Sequence, residues 1–259
     1  MYQETQYDDK YNREHQYDFV DKQSRGLFLA KVFGMMFLCL AITTIVAAGL
    51  GYGLMYLFVN AADEATQLNI TYIMIGALIG SAIILIIMSF VLPIMFIRGK
   101  HNIIVPLMIY VVLMGVMLSC FTWAFEPIIL IESFGITAAI FGLMALLGFV
   151  SKGNLSGIWV VLIGLLVGAG LLAGLNFLMI LFGQISETNV ALSWIVSLLI
   201  FAFLMLMTMW DVARINSIAT RTDNQGKNLI YYCAYILYSD FIAILIRVIR
   251  YVAIFTRRR

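Results

Sequence analysis

The stretch YILYSDFIAILIRVIRYVAIF, residues 235–255, is long and apolar enough to cross a membrane as a helix. Asp240 stands inside it, where a charged side chain at mid-bilayer costs at least about 2.5–3.5 kcal/mol. A second acid, Asp211, closes another apolar run, FLMLMTMWDVARI, at residues 203–215. Acids in such segments face the bundle interior or a water-filled cavity and usually have a role. The two aspartates therefore predict both a membrane fold and a site within it.

The composition of the whole chain agrees with a membrane protein. Of 259 residues, 63% are hydrophobic and 12% are charged, and the mean hydropathy is +0.99. Soluble domains have about 45–50% apolar and about 25% charged residues, so this chain cannot cover itself with a water-facing surface. Its predicted environment is the lipid bilayer, and no nucleic-acid partner is expected. The three cysteines and two histidines are scattered, which predicts neither a zinc site nor a disulfide framework.

Seven stretches have the length and composition of membrane helices: about 32–59, 72–97, 103–125, 129–150, 158–182, 190–213 and 229–255. The predicted fold is an all-α membrane protein, a seven-transmembrane-helix bundle over residues 26–259. Residues 1–25 form a polar N-terminal tail, either disordered or lying on the membrane surface. The fourth stretch is the least regular, because Pro127 and Glu132 interrupt its start.

Pairs of glycines four residues apart occur on the second and fifth stretches. Such spacing lets helix backbones approach closely in lipid. It predicts packing inside the bundle, with an oligomer interface as the alternative, and the oligomeric state is left open. The pairs are Gly76 with Gly80, Gly164 with Gly168, and Gly170 with Gly174.

Basic residues alternate between the connections. They occur in the leader and after the second, fourth and sixth stretches, whereas the connections at about 60–71, 126–128 and 183–189 carry only acids among their charged residues. By the positive-inside rule, this alternation predicts a multi-pass protein of the cell membrane with a cytoplasmic N-terminus. The arginines at 257–259 conflict with it. Either the last helix crosses against the rule, or its segment enters and returns, or the fourth stretch does not cross.

The connection between the last two stretches bends most naturally at Gly226. Asp211 lies fifteen residues before this glycine and Asp240 fourteen after it, so two antiparallel helices would carry them to nearly the same depth. Two carboxyl groups in a poorly hydrated site cannot both ionise cheaply, so they would share a proton and titrate as one unit. Without that proton, the two charges would repel each other and attract a cation such as Ca²⁺.

A purely structural alternative stands beside this prediction. Asp211 could instead pair with Arg214 one turn away, and Asp240 with Arg247 two turns away on the same face. Each aspartate would then be neutralised by its own arginine. The two acids would have no joint role in that case.

Known kinds of membrane enzyme do not match these residues. Intramembrane aspartyl proteases have Gly-x-Gly-Asp where this chain has Leu-Tyr-Ser-Asp, ending at Asp240. A rhodopsin needs a lysine in its seventh helix, and residues 229–255 contain none. A rhomboid protease needs Gly-x-Ser-Gly, which is absent. The chain is therefore predicted not to be an enzyme, and no cofactor is expected.

Several segments together resemble one family, the bacterial form of the Bax inhibitor-1 family of transmembrane Bax-inhibitor-motif proteins. ESFGITAAIFGLMALLGFVSKGNLSG, residues 132–157, is similar to the fourth helix and following loop, and GLLVGAGLLAGLNFLM, residues 164–179, to the fifth helix. MWDVARI, residues 209–215, and LYSDFIAIL, residues 237–245, match the places where the family has its two aspartates. The resemblance covers all seven stretches.

The resemblance implies a function for the two acids. It makes Asp211 and Asp240 a proton-sharing pair that gates a Ca²⁺ leak according to pH, with the seventh helix central and wrapped by the other six. It also implies links to cell-death control in eukaryotes and to a membrane protease in bacteria. Two departures bear on the gate: Val212 and Ala213 stand where the family has Thr-Gln, and the second helix has no arginine before Arg98 to latch Asp211.

The predicted function is therefore a pH-sensitive membrane cation leak for Ca²⁺, gated by Asp211 and Asp240. Ca²⁺ would be the permeant ion, or an ion bound by these two acids. Two alternatives remain open from the sequence. The chain could regulate a membrane protease or another membrane protein, with the leader as the contact, or it could be a proton-coupled transporter, for which intramembrane acids are equally suited.

Overall fold

The computed structural model describes the backbone of all residues except 1, 62, 100–101, 151–155, 182–186, 222–226 and 257–259. Side chains are described from residue 24 onward, apart from those residues and 156–157, 180, 187–189 and 220–221. Within this part of the chain there are seven helices and no strand. They are α1 (Tyr2–Val59), α2 (Glu64–Ile97), α3 (Ile104–Ala124), α4 (Pro127–Val150), α5 (Ser156–Leu181), α6 (Glu187–Arg221) and α7 (Lys227–Thr256).

Each of the seven helices contains a segment long and apolar enough to cross a membrane. The predicted all-α, seven-helix membrane fold is therefore confirmed. The fourth helix is regular despite its proline, because Pro127 is its first residue. Proline suits that position, since the N–H that it lacks would have no partner within the helix.

The first helix begins much earlier than the apolar stretch at residue 32. It starts at Tyr2, while its membrane-spanning part covers Ser24–Val59. Residues 2–31 contain no proline and a single glycine, Gly26, so little in their sequence ends a helix. The division of the chain into a tail and a domain at residue 25 stays a prediction.

Three glycines bring helices into close contact. At Gly115 of α3, an added Cβ would lie 2.7 Å from Cβ of Val46 on α1, and at Gly51 of α1 it would overlap the Thr122 hydroxyl of α3. At Gly148 of α4, it would lie 2.6 Å from the carbonyl oxygen of Met209 on α6. The α1–α3 and α4–α6 contacts thus depend on residues without side chains.

The six glycines singled out by their spacing behave differently. A Cβ added at any of them would meet no described atom within 4 Å: Gly76, Gly80, Gly164, Gly168, Gly170 and Gly174. The prediction that they pack inside the bundle is therefore wrong. Spacing alone does not say which side of α2 or α5 faces the other helices.

Helix α7 packs against α1, α2, α3, α4 and α6, and it has the largest buried share of the seven spans. It is one uninterrupted helix of 30 residues, about 45 Å long at 1.5 Å per residue. A segment that enters and returns does not fit this geometry, and α4 is also long enough to cross. The basic C-terminus thus follows a helix that is long enough to cross the membrane. The central place of α7 stays a prediction.

Candidate functional site

Asp211 and Asp240 lie side by side between α6 and α7. Asp211 is 5% exposed, and its carboxyl group forms a hydrogen bond with that of Asp240. Such a bond requires a proton on one of the two groups, because an ionised carboxylate has no hydrogen to donate. Asp240 Oδ2 is buried and has no hydrogen-bond partner among the described residues. A buried atom in this state has an unused capacity to bind a proton, a water or an ion.

The positions of the two acids follow from helix geometry. Asp211 precedes the end of α6 at Arg221 by ten residues, and Asp240 follows the start of α7 at Lys227 by thirteen, about 15 Å and about 20 Å along the axes. The two carboxyl groups therefore lie at similar depth below the connection. The predicted bend at Gly226 is outside the described residues.

Helix α4 closes the site on another side. Gly148 lets α4 approach the turn of α6 that carries Asp211, since a Cβ there would also lie 2.9 Å from Cβ of Val212. Val212 and Ala213 are both buried. Val212, which replaces the polar residue of the family pattern, thus packs against α4 and leaves the aspartate pair with an apolar neighbour.

A buried threonine of α4 faces the same part of α7. Phe134 and Phe141 both contact the ring of Phe241, with centroids 5.3 Å and 5.5 Å apart. Thr137 lies between them on one helix face, three residues after the first and four before the second. It is fully buried, and its hydroxyl has no hydrogen-bond partner among the described residues. A second unsatisfied oxygen therefore lies on the face of α4 that meets α7 next to Asp240.

The two arginines proposed as alternative charge partners have other close neighbours. The guanidinium of Arg214 lies 5.4 Å from the ring centre of Trp210, although it remains near enough to attract the charge of Asp211. Arg247 Nη1 lies 3.5 Å from Ser197 Oγ on α6, the outer limit of a hydrogen bond. Each aspartate has the other aspartate as its hydrogen-bond partner.

The sequence reasoning missed a cluster of hydroxyl groups on another face of α7. The Tyr238 hydroxyl lies 2.6 Å from Thr43 Oγ1 of α1. The ring of Tyr235 meets that of Tyr110 of α3, with centroids 5.2 Å apart, and both tyrosines lie near Ser89 of α2. These contacts connect α7 to α1, α2 and α3, whereas the aspartate bond connects it to α6.

A spacing signal could have revealed this cluster. Tyr231, Tyr235 and Tyr238 follow one another at intervals of four and three residues, which places them on one helix face. A buried tyrosine usually finds a hydrogen-bond partner for its hydroxyl. The pattern therefore predicts polar contacts on the side of α7 away from Asp240.

Within the described residues, no group of three or more histidine, cysteine, aspartate or glutamate side chains could hold a metal ion together. A bound Ca²⁺ takes six to eight oxygen ligands, far more than two carboxyl groups supply. The aspartate pair can attract a calcium ion, but the rest of the ion's shell would have to come from water, hydroxyls or backbone carbonyls. This donor set fits a passing ion better than a resident one.

Comparison with known proteins identifies the family. No curated protein matches the chain. The family model described as "Inhibitor of apoptosis-promoting Bax1" matches residues 25–257, which include every membrane-spanning helix except one residue at the start of the first. Both aspartates and the seven-helix bundle fall within the match. The chain belongs to the Bax inhibitor family.

Proposed function

We propose that the protein is a pH-sensitive cation leak for Ca²⁺ whose gate is the hydrogen-bonded pair of Asp211 and Asp240. The observation that supports the proposal is the bond between the two carboxyl groups, one on α6 and one on α7. While the pair holds a proton, the bond ties the two helices together and the leak is closed. When the proton leaves, the bond is lost and the pair becomes doubly negative.

The free energies of the hydrogen bond and of the charge repulsion explain why loss of one proton would separate the helices. A hydrogen bond contributes about 0.5–1.5 kcal/mol to stability. Two unit charges about 4 Å apart repel each other by about 4 kcal/mol at an effective dielectric constant of about 20. Deprotonation therefore replaces a modest attraction by a larger repulsion. The contact between α6 and α7 is thereby weakened.

We expect α6 to be the helix that moves. The most apolar part of its membrane span is less buried than that of α7, so displacing α6 uncovers fewer buried side chains than displacing α7. The movement would expose Asp240, whose Oδ2 has no partner among the described residues.

The direction of the pH dependence follows from this scheme. Flux should be low in acid, where the pair keeps its proton, and should rise as the pH increases and the proton is lost. The test uses purified full-length protein in liposomes that contain a Ca²⁺ indicator, with flux measured over a pH series. Asp211→Asn and Asp240→Asn should each remove the pH dependence.

A matched control separates gating from general surface charge. Asp63→Asn removes an exposed acid just before α2, far along the chain from the pair, and should keep the pH response. Flux equal to that of empty liposomes at every pH would end the proposal. A pH response that persists in both gate variants would end the role of the pair.

A second function would use the same pair differently. A proton that lies inside the membrane between two acids could be carried as well as sensed, which makes a proton-coupled transporter the runner-up. A Ca²⁺ gradient should then move protons across the liposome membrane in the absence of any pH gradient. A gated leak should move Ca²⁺ without coupled proton movement.

The regulatory role stays a prediction, since nothing in the described contacts bears on a membrane-protease partner. If the protein regulates a membrane protein through its leader, removal of residues 1–25 should change the amount of that protein that co-purifies from native membranes. If no membrane protein co-purifies with the full-length chain, this role is excluded.

A further inference from the structure

A second polar region lies at the far end of α7, away from the aspartate pair. Residues of α5, α6 and α7 line an open pocket of about 260 Å³. Its described polar lining consists of Arg247 and Arg250 from α7, Ser193 and Ser197 from α6, and Asn176 from α5. We call these five residues the arginine pocket. Two cations and no acid occur among the described residues that line it.

Spacing along α7 and the neighbouring aromatic side chains predict that the pocket lies at the depth of the lipid headgroups. Arg247 and Arg250 follow the start of α7 by twenty and twenty-three residues, about 30 Å and about 35 Å along the helix. The hydrocarbon core is about 30 Å thick, so these side chains reach its far edge. Trp194 stacks against Tyr251 beside them, with ring centroids 6.0 Å apart. Tryptophan and tyrosine are enriched at this level of a membrane.

The arginines have donors to spare. A guanidinium group has five N–H donors, and the hydrogen bond of Arg247 among the described residues is a long one of 3.5 Å, to Ser197 Oγ. Ser197 Oγ also lies 2.8 Å from the hydroxyl of Tyr251, which fixes it in place. Because guanidinium groups bind phosphate oxygens through paired hydrogen bonds, the pocket offers a phosphate group suitable donors.

Asn176 adds an acceptor to this set of donors. Its Nδ2 donates to Ser193 Oγ at 2.7 Å, while its Oδ1 is buried without a partner among the described residues. An unsatisfied buried carbonyl oxygen next to two arginines suits a ligand that has a hydroxyl group close to its negative charge. A glycerol phosphate unit has both groups.

The wall beside the pocket is apolar and faces outward. Leu171 and Phe177 of α5 are 71% and 64% exposed, and Phe177 also lines the pocket. Acyl chains could lie along this surface while the phosphate group occupies the pocket. We propose that the arginine pocket binds a glycerol phosphate group, either in the headgroup of an anionic phospholipid or as a free molecule. This inference does not rest on the calcium leak.

The test measures lipid retention by the full-length protein. Native mass spectrometry would count the lipids kept from an equimolar mixture of phosphatidylglycerol and phosphatidylcholine with identical acyl chains. Wild-type protein should prefer phosphatidylglycerol. Arg247→Gln combined with Arg250→Gln should reduce that preference about tenfold or more, since each charge-assisted bond is strong. Replacement of both arginines by lysine should retain part of it, because the charge remains.

Two further variants keep the result interpretable. Asn176→Asp changes one group without changing size, and should weaken retention by placing a negative charge in the pocket. Arg98→Gln removes an exposed arginine at the end of α2, on the opposite side of the bundle, and should retain phosphatidylglycerol like the wild type. A thermal unfolding curve for each variant shows that the bundle is folded.

The source of the phosphate is decided by a second arm with glycerol 1-phosphate in solution. Displacement of the lipid by millimolar glycerol 1-phosphate, or its binding alone, indicates a site for the free molecule. Retention of lipid that it cannot displace indicates a headgroup site. Equal retention of both lipids together with no binding of glycerol 1-phosphate overturns the proposal, as does unchanged retention in the Gln and Asp variants.

Discussion

The aspartate pair and the arginine pocket are both polar regions on α7, and they balance their charge differently. The two acids hydrogen-bond to each other, so a single proton within the protein links them, while Asp240 Oδ2 keeps no partner among the described residues. The arginine pocket has two cations and only neutral polar groups in its described lining. The acids thus share a proton that the protein itself holds, whereas the arginines have no counter-charge in their described lining. This difference is why we propose a switch for the first region and an anionic ligand for the second.

The largest expected effect is on Ca²⁺ flux when the aspartate pair is changed. In Asp240→Asn the amide can donate to the Asp211 carboxylate at every pH, so the link between α6 and α7 persists. Because the repulsion of about 4 kcal/mol never appears, Ca²⁺ flux at alkaline pH should fall at least about tenfold, to the level seen in acid. Liposome flux assays over a pH series measure this, and an alkaline flux like that of the wild type would refute it.

A bulky residue at the α4–α6 contact should disturb the aspartate region without touching the arginine pocket. Gly148→Leu places atoms against the Met209 carbonyl and Val212, and overpacking of this kind costs about 1–3 kcal/mol. We expect a lower unfolding temperature and an altered pH response, with lipid retention unchanged. Gly142→Leu on the same helix is the control, since a Cβ there meets no described atom within 4 Å. Equal effects of both variants would contradict the close packing of α4 against α6.

Arg247 and Arg250 should contribute unequally to the binding of phosphatidylglycerol in the arginine pocket. Arg247 is partly buried and Arg250 is exposed, and water screens an exposed charge more strongly. Arg247→Gln should therefore weaken phosphatidylglycerol retention about tenfold, and Arg250→Gln about threefold. Native mass spectrometry of the single variants measures both. A larger loss with Arg250→Gln would place the phosphate group at the exposed side of the pocket, nearer Arg250 than Arg247.

The smallest effect concerns the tyrosine face of α7. Tyr238→Phe removes the bond to Thr43 and should lower stability by about 1 kcal/mol, as measured by thermal unfolding in detergent. The pH at which flux rises should stay the same, because that face contacts α1 rather than α6. The exposed Tyr72 of α2 serves as the control in Tyr72→Phe. A shifted pH response in Tyr238→Phe would mean that this face takes part in gating.

The helices and the depth of the acids could be predicted because both depend on distance along the chain. Apolar length identifies a membrane helix, and equal spacing from a bend gives Asp211 and Asp240 equal depth. Thr137 was part of the segment 132–157 that resembles the family, but its role was not predicted. A hydroxyl group without a partner can be recognised only when the neighbouring helices are in place.

Rotation of each helix about its axis was the information that the sequence lacked. Nearly every position of α2 and α5 is apolar, so neither helix shows which side faces its neighbours. For that reason Gly76 and Gly164 were expected to pack inside the bundle, although Gly115 and Gly148 make the close contacts. Arg247 was an alternative partner for Asp240 on the basis of spacing, and its described hydrogen bond is instead with Ser197 on α6.

The close approach of α1 and α3 has a mechanical consequence. At Gly51 and Gly115 the two backbones leave no room for even a methyl group, and Thr122 and Val46 fill the remaining space. Surfaces interlocked in this way cannot slide past each other without first coming apart. We therefore expect the two helices to move together as one rigid body if the bundle opens as proposed, with the hinge outside them.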